Sequence, residues 1–292
     1  MDAVITYVNG GDPLWQQDYR SAVPDAPVAR RYRDWDTLPF LLRGIERHMP
    51  FVDRIFLVVA RESQVPAWAD RRQLQVILHA DIIPAPFLPT FNSTTIELFL
   101  YRIAGLSERF LYFNDDIFPV QDVAQADFFP EGRPAIGFAR HLLTGNLFRR
   151  QTRNADVLAR RALGLPESPV YLRPQHTCAP LLRSACEAVW DRIGTRLAET
   201  ITPVRSPKNV NQYVFSDYQL LSGQAVARRA PSRHLSLSAV TPATLAASIR
   251  QPRQKILCLN DVDMTQQRFE MLRAAMLSAF QEHFPDKSRY ER

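Results

Sequence analysis

The chain is poor in cysteine, in lysine and in long apolar runs, and each shortage excludes a class of protein. Cys178, Cys186 and Cys258 are the only cysteines in 292 residues. They are too few and too unevenly spaced for a disulfide framework or a zinc site, so reduced, mostly buried thiols are expected. No apolar run approaches the roughly 20 residues that cross a bilayer. The opening Met1-Asp2-Ala3-Val4-Ile5 has neither the basic n-region nor the long h-region of a secretory signal. A cytoplasmic location is therefore expected. Lysine supplies 3 of 36 basic residues, so the net charge of +6 is carried by arginine. Arginine recognises phosphate with a planar, bidentate fork, whereas a chain basic only for solubility or loose nucleic-acid binding would mix in more lysine. A phosphate-bearing substrate is favoured, although most of Arg149-Arg150, Arg160-Arg161 and Arg228-Arg229 read as solvated helix surface. An anionic membrane surface or a polyanionic polymer stays open as a partner.

With 46% hydrophobic and 23% charged residues the chain can bury a large core. Its length fits one large α/β domain with an appended subdomain, or two domains sharing a cleft. Ala3 to Val8 is a β-branched apolar run ending in Asn9-Gly10-Gly11-Asp12-Pro13, a buried strand and a tight turn. Asp36 to Met49 shows a helical apolar face and Arg54 to Ala60 a second buried strand, which together make a βαβ unit. Leu74 to Leu78 and Phe110 to Phe113 read as further strands, with a helix over Ser93 to Ile103 between them. Val123 to Pro134 reads as loop, and Thr152 to Leu163, Leu181 to Leu197, Ser216 to Ser222 and Met264 to Phe284 as helices. Lys255 to Leu259 is a late strand running into Asn260-Asp261. Alternating strands and helices predict a mainly parallel, doubly wound sheet. Ligands bind such sheets beyond the carboxyl ends of the strands, where Asn9-Gly10 and Asn114-Asp115-Asp116 both fall.

Asp115 and Asp116 are the most informative residues, because they sit between Tyr112-Phe113 and Ile117-Phe118-Pro119. Charges at the end of a buried strand are costly unless paired or bound to a cation. Hard carboxylate ligands suit magnesium or manganese, ions that bridge protein carboxylates to substrate phosphates. A plain strand-to-turn junction with an Asx cap explains a lone Asp-Asp equally well.

The motifs together resemble the Stealth family, which includes bacterial capsule polymerases and the catalytic part of the lysosomal-enzyme GlcNAc-1-phosphotransferase. Its first conserved block is similar to Ile5 through Trp15. The second runs from Arg31-Tyr32-Arg33-Asp34 through Val65-Pro66-Ala67-Trp68, Leu88 to Ser93 and Ile96-Glu97 to Phe110 through Asp116. The third resembles Gln175-His176-Thr177, the helix after it and Val204-Arg205-Ser206-Pro207. The fourth resembles Cys258 through Asp263. The chain departs at Asp36, Tyr101 and near Ala179, where members commonly carry Asn, His, and a further His or aromatic.

The resemblance implies a Rossmann-like or GT-A-like catalytic domain over residues 1–292, with a smaller, variable helical insertion at 135–172. It implies transfer of a sugar-1-phosphate from a nucleotide-diphosphate sugar, a UDP-sugar by preference, to a hydroxyl of an oligo- or polysaccharide acceptor, with release of a nucleoside monophosphate. Capsule or cell-surface polymer synthesis at the inner face of the membrane would be the setting, with peripheral association with the membrane or assembly machinery and no role for nucleic acid. His176 is the expected general base, since imidazole titrates near the operating pH. Arg205 would bind the diphosphate or stabilise charge during transfer. Asp115, Asp116 and Asp261 are the expected Mg²⁺ or Mn²⁺ ligands, and Asn114 and Asn260 would touch substrate. Asn9, Gly10 and Asp12 fit a nucleotide-binding turn, or equally a simple turn. Arg33, Asp34, Asn92, Ser93, Glu97 and Arg102 complete the expected substrate contacts, although Asn92-Ser93 also reads as an ordinary N-cap. Asp263 reads as a cap. Two other readings stand beside this one: a glycosyltransferase using the same metal site but releasing the nucleoside diphosphate, and a non-catalytic polyanion-binding module with salt-dependent, metal-independent binding.

Overall fold

The computed structural model describes residues 1–24, 32–261 and 264–292. Its centre is a five-stranded sheet built from β1 (Asp2–Thr6), β2 (Arg54–Val59), β3 (Leu74–Leu78), β4 (Arg109–Asn114) and β8 (Ala179–Leu182), in the order β3-β2-β1-β4-β8. The first four strands run parallel and β8 runs antiparallel to β4. Apolar side chains fill both faces, which is why these strands read as continuous apolar runs. Ala3, Ile5, Leu57, Leu111 and Phe113 enter one core. Val4, Phe56, Val58, Phe110 and Tyr112 point to the other.

Helices cover each face, so the sheet is doubly wound. On the first face lie α2 (Leu38–His48), through Leu41, Leu42 and Ile45, and α10 (Gln266–His283), through Leu272, Met276 and Phe280. On the second lie α4 (Ser93–Phe99), α6 (Leu147–Ala162), α7 (Arg183–Thr200) and α8 (Tyr213–Leu221). Two single turns, α3 (His79–Ile82) and α5 (Gln125–Phe128), punctuate the loops.

Several elements differ from the pattern-based expectation. Pro13–Ala22 forms a helix, α1, capped by Asp12, and its only buried side chains are Trp15 and Tyr19. That is too thin an apolar stripe for the sequence to announce. Leu181 and Leu182, expected to open the following helix, belong instead to the strand Ala179–Leu182, which completes the sheet beside β4. The arginine-rich helix α6 begins at Leu147, five residues before the expected Thr152, where the Asn146 side chain caps the Arg149 amide. The interval 135–172 is not purely helical. It contains β6 (Phe138–His141), α6 and the beginning of β7 (Tyr171–Pro174), with β6 and β7 paired antiparallel.

A second sheet positions the site. β5 (Ile117–Pro119), β9 (Ser232–Ser236) and β10 (Ile256–Asn260) form it in the order β5-β10-β9, with helix α9 (Pro242–Arg250) between β9 and β10 in the chain. The late strand therefore belongs to this sheet and not to the central one. The chain leaves the central sheet at Asn114 and enters the second at Ile117, so Asp115-Asp116 is the two-residue link between the sheets. Register then sets Cys258 opposite both Ile117 and His234.

Candidate active site

Where the two sheets meet, a cavity of about 790 Å³ opens, of a size that holds a nucleotide-sized ligand. The fold brings Arg33, Asp34, Ser93, Glu97, Asn114, Asp115, Asp116, His176, Arg205, Asn260 and Asp261 to its wall. These residues come from every part of the chain. β4 delivers the acidic link, β10 delivers Asn260 and Asp261, and the loop after β7 delivers His176.

The acidic side is electrostatically strained. Burial, and then the neighbouring Asp116, Asp34 and Asp261 charges, push the Asp115 carboxyl up to about 8. Asp34 is also raised, chiefly by burial, although the Tyr7 hydroxyl donates to it and Arg273 offsets part of the rise. One oxygen of Asp116, Oδ1, is buried and has no hydrogen-bond partner. The other, Oδ2, lies 3.6 Å from His176 Nε2 and 3.9 Å from Cys258 Sγ. Asp261 Oδ2 accepts from Trp35 Nε1 at 3.1 Å. Burial and like charge together oppose ionisation of Asp115 unless a proton or a cation sits among these carboxylates.

His176 and the arginines face this acidic centre. Burial by itself would lower the His176 pKa, but Asp116 and then Glu97 outweigh it, and the imidazole is raised above its ordinary value. Glu97 is buried and raised by that burial, while its oxygens accept from the Gln212 amide at 3.0 Å and the Tyr112 hydroxyl at 3.3 Å. Arg205 Nη2 donates to Ser93 Oγ at 2.7 Å. Its loop is held by Asn209, 1% exposed, which binds the side chains of Asn92 and Thr202, the Ser206 amide and the Thr200 carbonyl. Arg33 lies over the Phe269 ring at 4.7 Å and donates from Nη2 to the Met264 carbonyl, while its Nη1 is buried without a partner.

Five expected residues are not brought to the cavity, and four of them are used by the scaffold instead. Gly10 carries the chain against Tyr32, where a Cβ would stand 2.3 Å from the Tyr32 carbonyl oxygen. Asn9 accepts the Gly11 amide and exchanges two backbone hydrogen bonds with the Gln64 side chain. Asp12 caps α1 at Leu14 and accepts from Ser63 and Gln64, which hold its carboxyl low despite its burial. Asn92 is fully buried, caps α4 at Thr94 and donates to Thr202 and Asn209. Arg102 is exposed in the 3₁₀ turn after α4 and does not line the cavity. Arg31, Val262 and Asp263, the ends of two expected blocks, lie outside the described residues.

The cavity also contains residues that the sequence does not single out. His234 packs edge-on to His176 with ring centroids 6.2 Å apart, and burial first, then the His176 charge, lower its pKa. Arg173 and Arg229 line the same wall. Arg173 lies in β7, a strand too short to announce itself, and Arg229, expected with Arg228 as solvated helix surface, lies instead in the loop just before β9 and faces the cavity.

A family model described as Stealth protein CR2, conserved region 2, matches residues 31–135, and one for CR4, conserved region 4, matches residues 247–292. The capsular polysaccharide phosphotransferase WcwK of Streptococcus pneumoniae is 29% identical over 336 residues, covering 100% of this chain and 99% of its own. The receptor polysaccharide phosphotransferase WefC of Streptococcus oralis is also 29% identical, with the same coverage. A capsular polysaccharide phosphotransferase of Actinobacillus suis is 34% identical over 66% of this chain and 56% of its own. Among solved structures, the galactosyltransferase LgtC in complex with donor and acceptor sugar analogs is similar at 13% identity and a TM-score of 0.42, over 94% of this chain and 96% of LgtC. A superposition that loose carries no inference. With two conserved regions in family order and relatives aligned along its whole length, the chain belongs to the Stealth protein family.

Proposed function

We infer that this protein is a hexose-1-phosphate transferase of capsule or cell-surface polysaccharide synthesis. It would move a sugar-1-phosphate from a nucleotide-diphosphate sugar, a UDP-sugar by preference, to a hydroxyl of an acceptor saccharide. The observation that carries the reading is the pairing, in one cavity, of a carboxylate cluster with arginines and an acid-paired histidine. The names of its relatives, phosphotransferases of capsular and receptor polysaccharides, support it.

The residues divide the work as phosphoryl transfer requires. His176, held beside Asp116, takes the proton of the acceptor hydroxyl as that oxygen attacks the β-phosphorus of the donor. The bond from the β-phosphorus to the oxygen bridging the two phosphates breaks, a phosphodiester forms and the nucleoside monophosphate leaves. Arg205, fixed by Ser93, and Arg33, with its free Nη1, stabilise charge on the phosphates and leaving group. Asn114 and Asn260 line the cavity as neutral contacts for substrate.

Two features of these carboxylates support a hard divalent cation as their partner. Asp116 Oδ1 is a buried acceptor with nothing to accept, and the Asp115 carboxyl is raised by neighbours of its own sign. Asp115, Asp116 and Asp261 would hold Mg²⁺ or Mn²⁺, which when bound neutralises the donor diphosphate.

Nucleotide release from a panel of donors, with magnesium and mixed acceptor oligosaccharides, tests the proposal. Acceptor-dependent nucleoside monophosphate is expected. Acceptor-dependent diphosphate would make the protein a glycosyltransferase, and salt-sensitive polyanion binding with no turnover of any donor would make it a binding module.

A further inference from the structure

Seven large apolar side chains are exposed among the described residues, and four of them fall within seven consecutive positions: Leu142 (62%), Leu143 (75%), Leu147 (36%) and Phe148 (40%). A cluster of this kind on a protein surface marks an interaction site. The same stretch carries charge of one sign. Between Glu131 and Asp156 there is no acidic residue, and of the five arginines there, Arg133 is tied to the Gly223 and Ala225 carbonyls while Arg140, Arg149, Arg150 and Arg153 flank the apolar positions in the chain.

The stretch is held in place. β6 and β7 pair up to His141 opposite Tyr171, the Tyr171 hydroxyl donates to the Leu143 carbonyl at 2.8 Å, and Asn146 caps the Arg149 amide at 2.9 Å. The tether is made through the Leu143 backbone, which leaves the Leu142 and Leu143 side chains facing outward. The loop stands at the edge of the cavity, because Phe148 and Gln151 line it.

We propose that the Leu142–Phe148 loop and the amino-terminal turn of α6 dock the protein on an anionic lipid bilayer. Leucine and phenylalanine enter the boundary between headgroups and acyl chains, and the surrounding arginines meet lipid phosphates. Charge decides between this occupant and a second copy of the chain. A symmetric pairing through this patch would set its arginines against the same arginines of the partner, whereas an anionic membrane complements both the apolar and the basic groups. Docked in this way, the cavity mouth lies at headgroup level and suits an acceptor sugar carried on a lipid. That last consequence rests on the transferase reading; the docking itself does not.

Vesicle flotation of the full chain tests the docking without any substrate. The protein is expected to float with phosphatidylcholine vesicles containing about one third phosphatidylglycerol, and to stay behind with phosphatidylcholine alone. Leu142→Ser with Leu143→Ser, or Arg149→Gln with Arg150→Gln, should each lower the bound fraction about tenfold or more. As a second readout, Leu143→Trp should shift its emission to the blue on the anionic vesicles. The proposal is overturned if the wild type fails to float, if the double leucine variant floats as well as the wild type, or if the tryptophan emission does not move. It is equally overturned if the leucine pair governs self-association or binding of an acidic protein with no lipid binding at all.

Discussion

Replacing Asn209 by alanine removes four side-chain hydrogen bonds from the loop that carries Arg205. Oδ1 accepts from Asn92 Nδ2 at 3.0 Å and from the Ser206 amide at 2.6 Å, and Nδ2 donates to the Thr200 carbonyl and Thr202 Oγ1, both at 2.7 Å. A net hydrogen bond contributes about 1 kcal/mol, and a buried partner left unsatisfied costs more. Four bonds suggest a loss near 4 kcal/mol. Some of the partners can reach water once the side chain is gone, which brings the expectation to about 2–4 kcal/mol. In a chain of this size that corresponds to a fall in Tm of roughly 3–7 °C. Urea unfolding of the wild type and the variant measures the loss directly. Because Ser206 adjoins Arg205, kcat/KM should fall in the same variant under conditions where it remains folded. A change below about 1 kcal/mol with kcat/KM intact would show that the Asn209 network does not hold the loop.

Gly44→Ala should destabilise the fold by about 1–3 kcal/mol in urea, although alanine is the better helix former by about 1 kcal/mol. The new Cβ would lie 2.4 Å from the Pro119 carbonyl oxygen, an atom fixed in β5. His79 is buried, its Nε2 has no partner, and burial lowers its pKa to about 4. Its folded pKa lies below the unfolded value, so the fold is fully stable only above about pH 6.5 and weakens as pH falls toward 4. Between pH 7 and pH 5 this one group removes about 2 kcal/mol, and His79→Leu should abolish that part of the pH dependence. His176 must be neutral to accept a proton, so kcat/KM should rise with pH through a value above 6.5. An NMR titration should find the same ionisation moved downward in Asp116→Asn. Asp115, raised to about 8, must lose its proton to bind a cation. Thermal stabilisation by magnesium should therefore grow from pH 6 to about 8, and an effect independent of pH would remove Asp115 from the ligand set.

The first half of the fold is legible because β1, β2 and β4 are apolar runs bounded by turn residues and buried on both faces, and the edge strand β3 still keeps four apolar residues of five. The second sheet is not. β5 has three residues, one of them Pro119, and β9 reads Ser-Arg-His-Leu-Ser, so neither carries a period a reader could find. Ala179–Leu182 merges with the apolar pattern of α7, and only its pairing with β4 makes it a strand. The acidic link is visible locally, since charge beside Phe113 and Ile117 is conspicuous. The matching residues His176, Arg205 and Asp261 are scattered through the sequence and come from the family resemblance. Asn9, Gly10 and Asp12 show the opposite problem. A glycine turn after a strand looks the same whether it approaches a nucleotide or a neighbouring segment, and here the neighbour is Tyr32. His234 and Arg173 reach the cavity only through long-range strand pairing that no local pattern encodes, and Arg229 reaches it from the loop before β9.

The most direct test of the central claim follows the β-phosphorus of the donor. With a nucleotide-diphosphate sugar labelled with ³²P at that position, turnover should carry the label into the saccharide product and leave an unlabelled nucleoside monophosphate. Label recovered in a free nucleoside diphosphate would mean that the bond between sugar and phosphate breaks instead, and would contradict the account.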